Sequence, residues 1–429
     1  MTTVHLTNAY HPTSGGIRTF YDALLEGGDR ERRRVVLIVP GARTDVQDVG
    51  RFGRIHTVAA PPAPAFDRRY RLMLPYRLWP GGIIGQILER ERPSVVEICD
   101  KYSLPYLAGM LRKGWHRAVA RPALVGLSCE RFDDNMAAYL SRRPAARAFT
   151  QWYLRQIYGP PFDIHVANSA YTASELHEAL PDRPTGFIRV CPMGVDTAGF
   201  GPHRASATMR ERMRGLVRGS QRSVLLFHAG RLSPEKNVEL LVAMLRTLVE
   251  DQVPGSDYRL IIAGDGPEAG WLRAQATGAL RDRLVLVGNL DRSTLAECCA
   301  SADVFVHPNP REPFGIGPLE AMASGVPVVV PAAGGVLEYA TESNSWLAAP
   351  TARDFARAVR SARDGDAARV AAARDTARRF QWDLIARRFF AIYDEAAERY
   401  SMAPAQRPAE ASRGNRSGLS VKTASTPRS

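Results

Sequence analysis

Residues 304–331 read VFVHPNPREPFGIGPLEAMASGVPVVVP. VFVHP and VPVVVP are near-continuous apolar runs rather than apolar/polar alternations, the pattern of parallel strands covered on both faces. Between them, Asn309 to Gly317 reads as a loop, and Pro318 suits the first position of a helix, where its missing N–H is no loss. Strand, loop, helix and strand make one βαβ unit. Glu312 and Glu320 bracket seven residues that hold two glycines and two prolines. From these residues alone the pair reads as catalytic carboxylates, a metal site, a sugar clamp, or a loop followed by a capping glutamate in the helix's first turn.

The same rhythm extends in both directions. The first half carries an opening strand at Val4–Leu6, then VVLIVP (35–40), SVVEICD (94–100), ALVGLS (123–128) and IHVANS (164–169). The second half carries SVLLFHAG (223–230), RLIIAG (259–264) and RLVLVG (283–288), separated by helical spacings such as NVELLVAMLRTLVE and STLAECCASA. Alternating strands and helices of this kind predict an α/β protein with two doubly wound domains. The join is expected near 195–220, a stretch rich in Gly, Ser and Arg without a strand signal. Residues 380–400 have the spacing of an amphipathic helix, and 402–429 have the composition of a disordered basic tail.

At 429 residues the chain is too long for one ordinary core. A hydrophobic fraction of 45% with 24% charged residues is that of a soluble globular protein. No apolar run is long enough to predict a membrane span, and MTTVHLTNAYHP lacks the features of a secretory signal, so a cytoplasmic location is expected. Cys99, Cys129, Cys191, Cys298 and Cys299 show no C-x-x-C spacing and read as buried free thiols in a reducing compartment.

The net charge of +13 is uneven: residues 1–160 hold 24 Lys/Arg against 14 Asp/Glu, whereas 161–401 are nearly neutral. A basic half suggests an anionic partner on one side: nucleic acid, an anionic membrane surface, or a phosphorylated ligand. Nucleic acid is disfavoured, because the basic residues are not interleaved with a stacking platform. RRYRLMLPYRLWPGGIIGQILERERP (68–93) reads either as a surface for anionic lipid headgroups or as an ordinary cationic helix with a buried face.

Strand ends running into glycine are where doubly wound folds bind ligands. In TNAYHPTSGGIRTF, Ser14, Gly15 and Gly16 form a tight entry to a helix from near Ile17, a phosphate loop or a plain turn. In HAGRLSPEKNVELLV, Arg231 and Lys236 flank Ser233 and Pro234, expected to start a helix. Two cations at a helix N-terminus are electrostatically awkward; a bound diphosphate would relieve the strain, and solvated surface cations are the other reading. Metal readings fare badly. The nine histidines show no H-x-x-x-H spacing, and Asp364–Gly365–Asp366 reads as a turn with a helix cap. AGDGPE (263–268) fits no dinucleotide fingerprint.

Taken in order, AGRLSPEKN, IIAGDGPE, VLVGNL, ADVFVHPNPREPFGIGPLEAMASGVPVV and GGVLE resemble the C-terminal domain of family 4 retaining glycosyltransferases with the GT-B fold, the glycosyl transferases group 1. The resemblance covers 164–345 strongly and the N-terminal half loosely. It implies two Rossmann-like domains facing across a cleft: an acceptor domain (1–195), a nucleotide-sugar domain (196–378) and a helix (379–401) crossing back onto the first. It implies that Arg231 and Lys236 bind and neutralise the donor diphosphate, that Glu320 accepts from the ribose hydroxyls, and that Glu312 faces the transferred sugar. Backbone amides of Phe314, Gly315 and Ile316 would contact sugar and phosphate, with Gly264, Gly288, Asn289 and Leu319 in the donor site. Gly15 and Gly16 would meet the diphosphate from the other domain. The two glutamates then have different tasks and are not a glycosidase-like pair.

No cofactor or metal is implied beyond a GDP- or UDP-linked sugar. Relatives often carry a histidine on the acceptor side. Here ALVGLSCERFDDNMAAYL has Cys129 at that place, which leaves Glu130, Cys129 or the leaving phosphate to assist the acceptor. ERFDD resembles the version in mannosyltransferase-like members and tilts the donor toward GDP-mannose. The acceptor implied is a lipid-linked or saccharide hydroxyl in glycolipid or cell-envelope polysaccharide assembly, with the enzyme peripheral on the inner face of the cytoplasmic membrane. The alternatives are a non-catalytic nucleotide-sugar-binding partner in an assembly complex, or a GT-B synthase acting on soluble glucans.

Overall fold

The computed structural model describes residues 1–11, 15–63, 70–139, 144–251 and 257–401. Ser14, Arg68, Arg69 and the tail 402–429 of the sequence reading lie outside them.

Two sheets organise the chain. The first takes β1 (Thr2–Thr7), β2 (Arg34–Gly41), β3 (Asp45–Val49), β4 (Gly53–Ala59), β5 (Val95–Cys99), β6 (Ala123–Ser128), β7 (Ile164–Ala167) and β8 (Ile188–Val190). Their order is β3-β4-β2-β1-β5-β6-β7-β8. The second takes β9 (Ser223–Ala229), β10 (Asp257–Ala263), β11 (Leu284–Gly288), β12 (Val304–Val306), β13 (Val328–Pro331) and β14 (Trp346–Ala348), in the order β11-β10-β9-β12-β13-β14. Every pairing is parallel except β3 with β4. The buried strands are the apolar runs; Val4, for instance, stands between Val36 and Val96.

Four strands escaped the sequence reading. DVQDV in β3 is almost wholly exposed, an edge strand whose Asp45 and Asp48 discourage further pairing. Its partner β4 is half-buried and alternates, while β8 and β14 are three residues each, too short for a periodicity to register. The expected join also contains regular structure: helix Ala207–Leu216 is tied to the second domain by Arg210, which donates to Asp303 at 2.6 Å.

In each sheet the chain reverses direction at the first strand: β1 lies between β2 and β5, and β9 between β10 and β12. Such switch points open a crevice at the carboxyl ends of the strands. Gly230, Gly264, Gly288 and the Gly315–Gly317 stretch all lie at or after strand ends of the second sheet.

The chain returns to the first domain through a short parallel bridge between Val195 and Gln381. Helix Trp382–Tyr400 then packs on helix Gly16–Arg30, where Gly27 leaves room for it: a Cβ there would stand 2.9 Å from that of Ala386. Phe389 and Tyr393 are fully buried in this contact. The Tyr393 hydroxyl bonds Glu97, a buried carboxylate that also accepts from Tyr21 at 2.9 Å and lies 3.1 Å from His5 Nδ1. A buried carboxylate is tolerated only when its oxygens are satisfied in this way.

Candidate functional site: a cleft between the two switch points

The floor of the second crevice is set by close backbone approach. Gly264 has φ +131°, and a Cβ there would stand 1.9 Å from the Gly230 carbonyl oxygen; only glycine allows the ends of β9 and β10 to meet so closely. Its N–H donates to the carbonyl of Gly288 at 2.7 Å. Gly264 and Gly288 therefore shape the backbone here, and Asn289 is exposed at the rim.

Arg231 and Lys236 follow β9, but the helix expected from Ser233 and Pro234 does not form there. Pro234–Lys236 is a single 3-10 turn closed by Asn237 in the left-handed region, and the α-helix begins at Glu239. Nor are the cations left strained. Arg231 Nη2 donates to Glu235 at 2.7 Å, and Lys236 Nζ lies 2.8 and 2.9 Å from the two oxygens of Glu312. The awkward charge pair of the sequence reading is thus neutralised within the protein.

The loop between β12 and the next helix carries the rest. The helix starts at Ile316, two residues before Pro318, because Gly315 at φ +86° turns the chain directly into it. Glu320 accordingly sits in the second turn rather than the first. Phe314 packs on Tyr339 and Phe380, and Leu319 is fully buried, so both side chains belong to the core. Only their backbones are available to a ligand.

The two glutamates have opposite electrostatics. Burial pushes Glu312 upward, but Lys236, with His307 3.3 Å away, outweighs it and holds the carboxyl well below its usual range. Asn309 donates a further bond at 3.0 Å. Burial of Glu320 is only partly offset by Arg292 at 3.1 Å, and Asp196 adds to it, so Glu320 is pushed up to about 7. One carboxylate is firmly ionised; the other titrates near neutrality.

Across the cleft, helix Gly16–Arg30 starts at Gly15 and Gly16. A Cβ on Gly16 would stand 3.1 Å from Ile316 Cδ1, so the starts of two helices, one from each domain, abut. Neither start has a side-chain cap or an acid in its first turn. Both helix dipoles direct positive potential and unpaired N–H groups to the same place. Tyr70 reaches over from the first domain to Arg231 at 3.2 Å.

On the acceptor side, Cys129 is packed against the core, and burial with the adjoining Cys99 pushes its thiol well up. A thiol so held stays protonated at neutral pH and cannot act as a base. Glu130 is the ionisable neighbour. Burial, with Asp100 adding to it, raises its carboxyl above the usual range, and Lys101, Asn135 and, across the cleft, Arg231 offset this only in part. Asn135 donates to Glu130 at 2.8 Å and to Tyr102 at 3.1 Å. The fully buried Lys101 fixes the Glu130 backbone at 2.5 Å and pairs with Glu175 at 2.6 Å.

Arg292, His307, Asn309, Tyr102 and Asn135 were missed from sequence. His307 and Asn309 adjoin the quoted loop and follow a strand, which is a usable signal. Asn135 lies in the quoted ALVGLSCERFDDNMAAYL stretch, five residues after Glu130, whereas Arg292 and Tyr102 come from other segments and carry no signal. Among the described residues no cluster of three metal-ligating side chains occurs, and Asp366 caps the helix that follows it, accepting from Arg369 N at 2.9 Å.

Residues 212–379 match the family Glycosyl transferases group 1. The chain is 32% identical over 363 residues to a GDP-mannose-dependent alpha-(1-6)-phosphatidylinositol dimannoside mannosyltransferase of Mycobacterium tuberculosis, covering 84% of this chain and 87% of that one. Its fold is shared with a sucrose-phosphate synthase from Thermosynechococcus elongatus (TM-score 0.70, 19% identity, 92% and 99% covered). It is shared too with Anabaena HepE in complex with UDP-glucose (TM-score 0.66, 16% identity, 92% and 100% covered).

Proposed function

The chain belongs to the glycosyl transferases group 1 and is a glycosyltransferase of GT-B fold, and on that premise we propose that it moves mannose, with retention, from GDP-mannose to a hydroxyl of a lipid-linked acceptor. The observation that carries the reading is the meeting of two uncapped helix starts beside Arg231 and Lys236. A nucleoside diphosphate is the anion that two such ends and two cations fit.

In the transfer, the bond between sugar C1 and the phosphate oxygen breaks and its electrons stay on the leaving diphosphate. Arg231, Lys236 and the helix ends stabilise that charge, the largest single help a site of this kind offers. The ionised Glu312 lies on Lys236 and faces the sugar, while Glu320 accepts from the ribose hydroxyls. The acceptor oxygen bonds to C1, and its proton passes to the leaving phosphate. Glu130, held by Asn135, orients the acceptor hydroxyl, a task the neutral Cys129 thiol does not perform.

GDP-mannose as donor rests on the 32% identical relative, whose name includes it, and on the ERFDD stretch. A lipid-linked acceptor on the inner face of the membrane is supported by the surface of the first domain. Tyr76, Trp79, Trp115, Phe149 and Trp152 are all exposed there. Trp79 and Trp115 lie 6.0 Å apart, with Lys113 over the latter ring. Exposed aromatics beside cations suit an anionic lipid interface. No helix among the described residues is long and apolar enough to cross a membrane.

A panel of GDP-mannose, GDP-glucose, UDP-glucose and UDP-N-acetylglucosamine, read by thermal shift and donor hydrolysis, tests the donor. GDP-mannose is expected to give the largest shift and the fastest hydrolysis. A larger response to UDP-glucose overturns the donor assignment, and no turnover of any donor overturns the catalytic reading.

A further inference from the structure

We propose that Ser169 and Glu338 are positioning residues that seat the donor loop when the two domains meet. The inference rests on the transferase reading above and extends it to residues that touch no substrate. Ser169 is the fully buried N-cap of helix Ala170–Ala179 in the first domain. Its oxygen accepts from Thr172 N at 3.1 Å, which satisfies the cap. Its hydroxyl proton is still free, and it goes 2.5 Å to the carbonyl of Pro313, in the donor loop of the other domain. One small side chain therefore ends a helix and holds a loop 144 residues away.

The second contact runs the other way. Ala170 N, an unpaired donor at the first position of the same helix, donates to Glu338 Oε2 at 3.0 Å. A carboxylate from the second domain thus sits on the positive end of a helix from the first. Glu338 closes the turn Gly335–Glu338, and that turn grips the donor loop from behind. Gly335 N donates to the Glu312 carbonyl at 2.6 Å, and the Tyr339 hydroxyl bonds the Gly315 carbonyl. A Cβ at Gly335 would stand 1.9 Å from the Pro313 carbonyl oxygen, so that oxygen is closely approached by its own domain as well as by Ser169.

Residues 312–315 are consequently clamped between their own domain and the partner domain. They include Glu312, whose carboxylate lies on Lys236. Separating the domains breaks both interdomain bonds together and leaves the loop held from one side. Two such hydrogen bonds, one of them to a charged group, bias an open–closed equilibrium about tenfold or more. Donor binding draws mainly on the second domain and is expected to survive their loss; transfer, which needs both domains, is not.

The test uses the full chain with Glu338→Ala, Glu338→Gln, Ser169→Ala and Ser169→Thr. Steady-state transfer is measured, together with small-angle X-ray scattering without ligand and with GDP. Glu338→Ala and Ser169→Ala are expected to lower kcat about tenfold, leave the donor KM within about twofold, and enlarge the radius of gyration. Glu338→Gln and Ser169→Thr, which keep an acceptor and a hydroxyl, recover most of both. Glu338→Ala leaves the helix cap intact and decides the matter if Ser169→Ala does not fold. Wild-type kcat in Glu338→Ala, or a fall in kcat without expansion, overturns the proposal. If the unaltered protein transfers no sugar, the transferase reading fails, and the ligand-free scattering alone still decides whether the two residues hold the domains together.

Discussion

Replacing Glu320 by glutamine perturbs one atom's chemistry and leaves the shape of the site. Glu320 is buried, and its carboxyl titrates near 7 rather than at its ordinary 4.5. Between those values the folded chain keeps a proton that the unfolded chain has released. Stability supplied by that proton is present below pH 4.5 and is lost as pH rises toward 7. At about 1.4 kcal/mol for each pH decade, the gap corresponds to about 3 kcal/mol. Glu320→Gln carries no titrating group and lacks this slope. Urea unfolding of both proteins from pH 4.5 to 8 should show the variant gaining about 3 kcal/mol relative to the parent.

Ligand binding should move the other way. Ribose hydroxyls donate to the ionised form, so GDP affinity of the parent should fall about tenfold per pH unit below about 7. In the variant it should be weaker at pH 8 and flat. Stability curves that stay parallel from pH 5 to 8 would show that Arg292 alone balances the carboxylate. A GDP affinity indifferent to both pH and the substitution would remove Glu320 from the ribose.

Three further perturbations address other parts of the chain. Lys236→Ala removes a fixed cation and should lower kcat by about 10²–10³-fold, with a Tm drop relieved when Glu312→Gln is added; full activity in the single variant refutes the diphosphate assignment. Tyr393→Phe deprives the buried Glu97 of a donor and should destabilise the docked terminal helix by about 1–3 kcal/mol, read as faster hydrogen exchange over 382–400. Trp79→Ala with Trp115→Ala should reduce flotation with anionic liposomes while leaving hydrolysis of soluble donor unchanged; equal partitioning of the parent to neutral and anionic liposomes rejects the membrane surface.

The buried parallel strands were legible from the chain because nothing but a near-continuous apolar run can fill the middle of a sheet covered on both faces. The placement of glycine after those strands was legible for the same local reason, and so were the family resemblance and the separation of Glu312 from Glu320. The edge hairpin of β3 and β4 was not, because an exposed strand is chosen by its partner rather than by its own composition. The helix start at Ile316 was missed since a left-handed Gly315 is as consistent with a loop as with a cap. Electrostatics was the least legible. Lys236 meets Glu312 across 76 residues, and Arg292 meets Glu320 across 28. Sequence order carries no record of which charges a fold brings together. Thus the amino-acid order by itself determined two doubly wound domains and the glycine-bearing strand ends at which a ligand site was expected. Only tertiary packing decided that one glutamate is ionised and the other poised near neutrality, and that Ser169 and Glu338 reach across the cleft. Burial and pairing, which set a carboxyl's proton and a loop's place, are properties of neighbours in space.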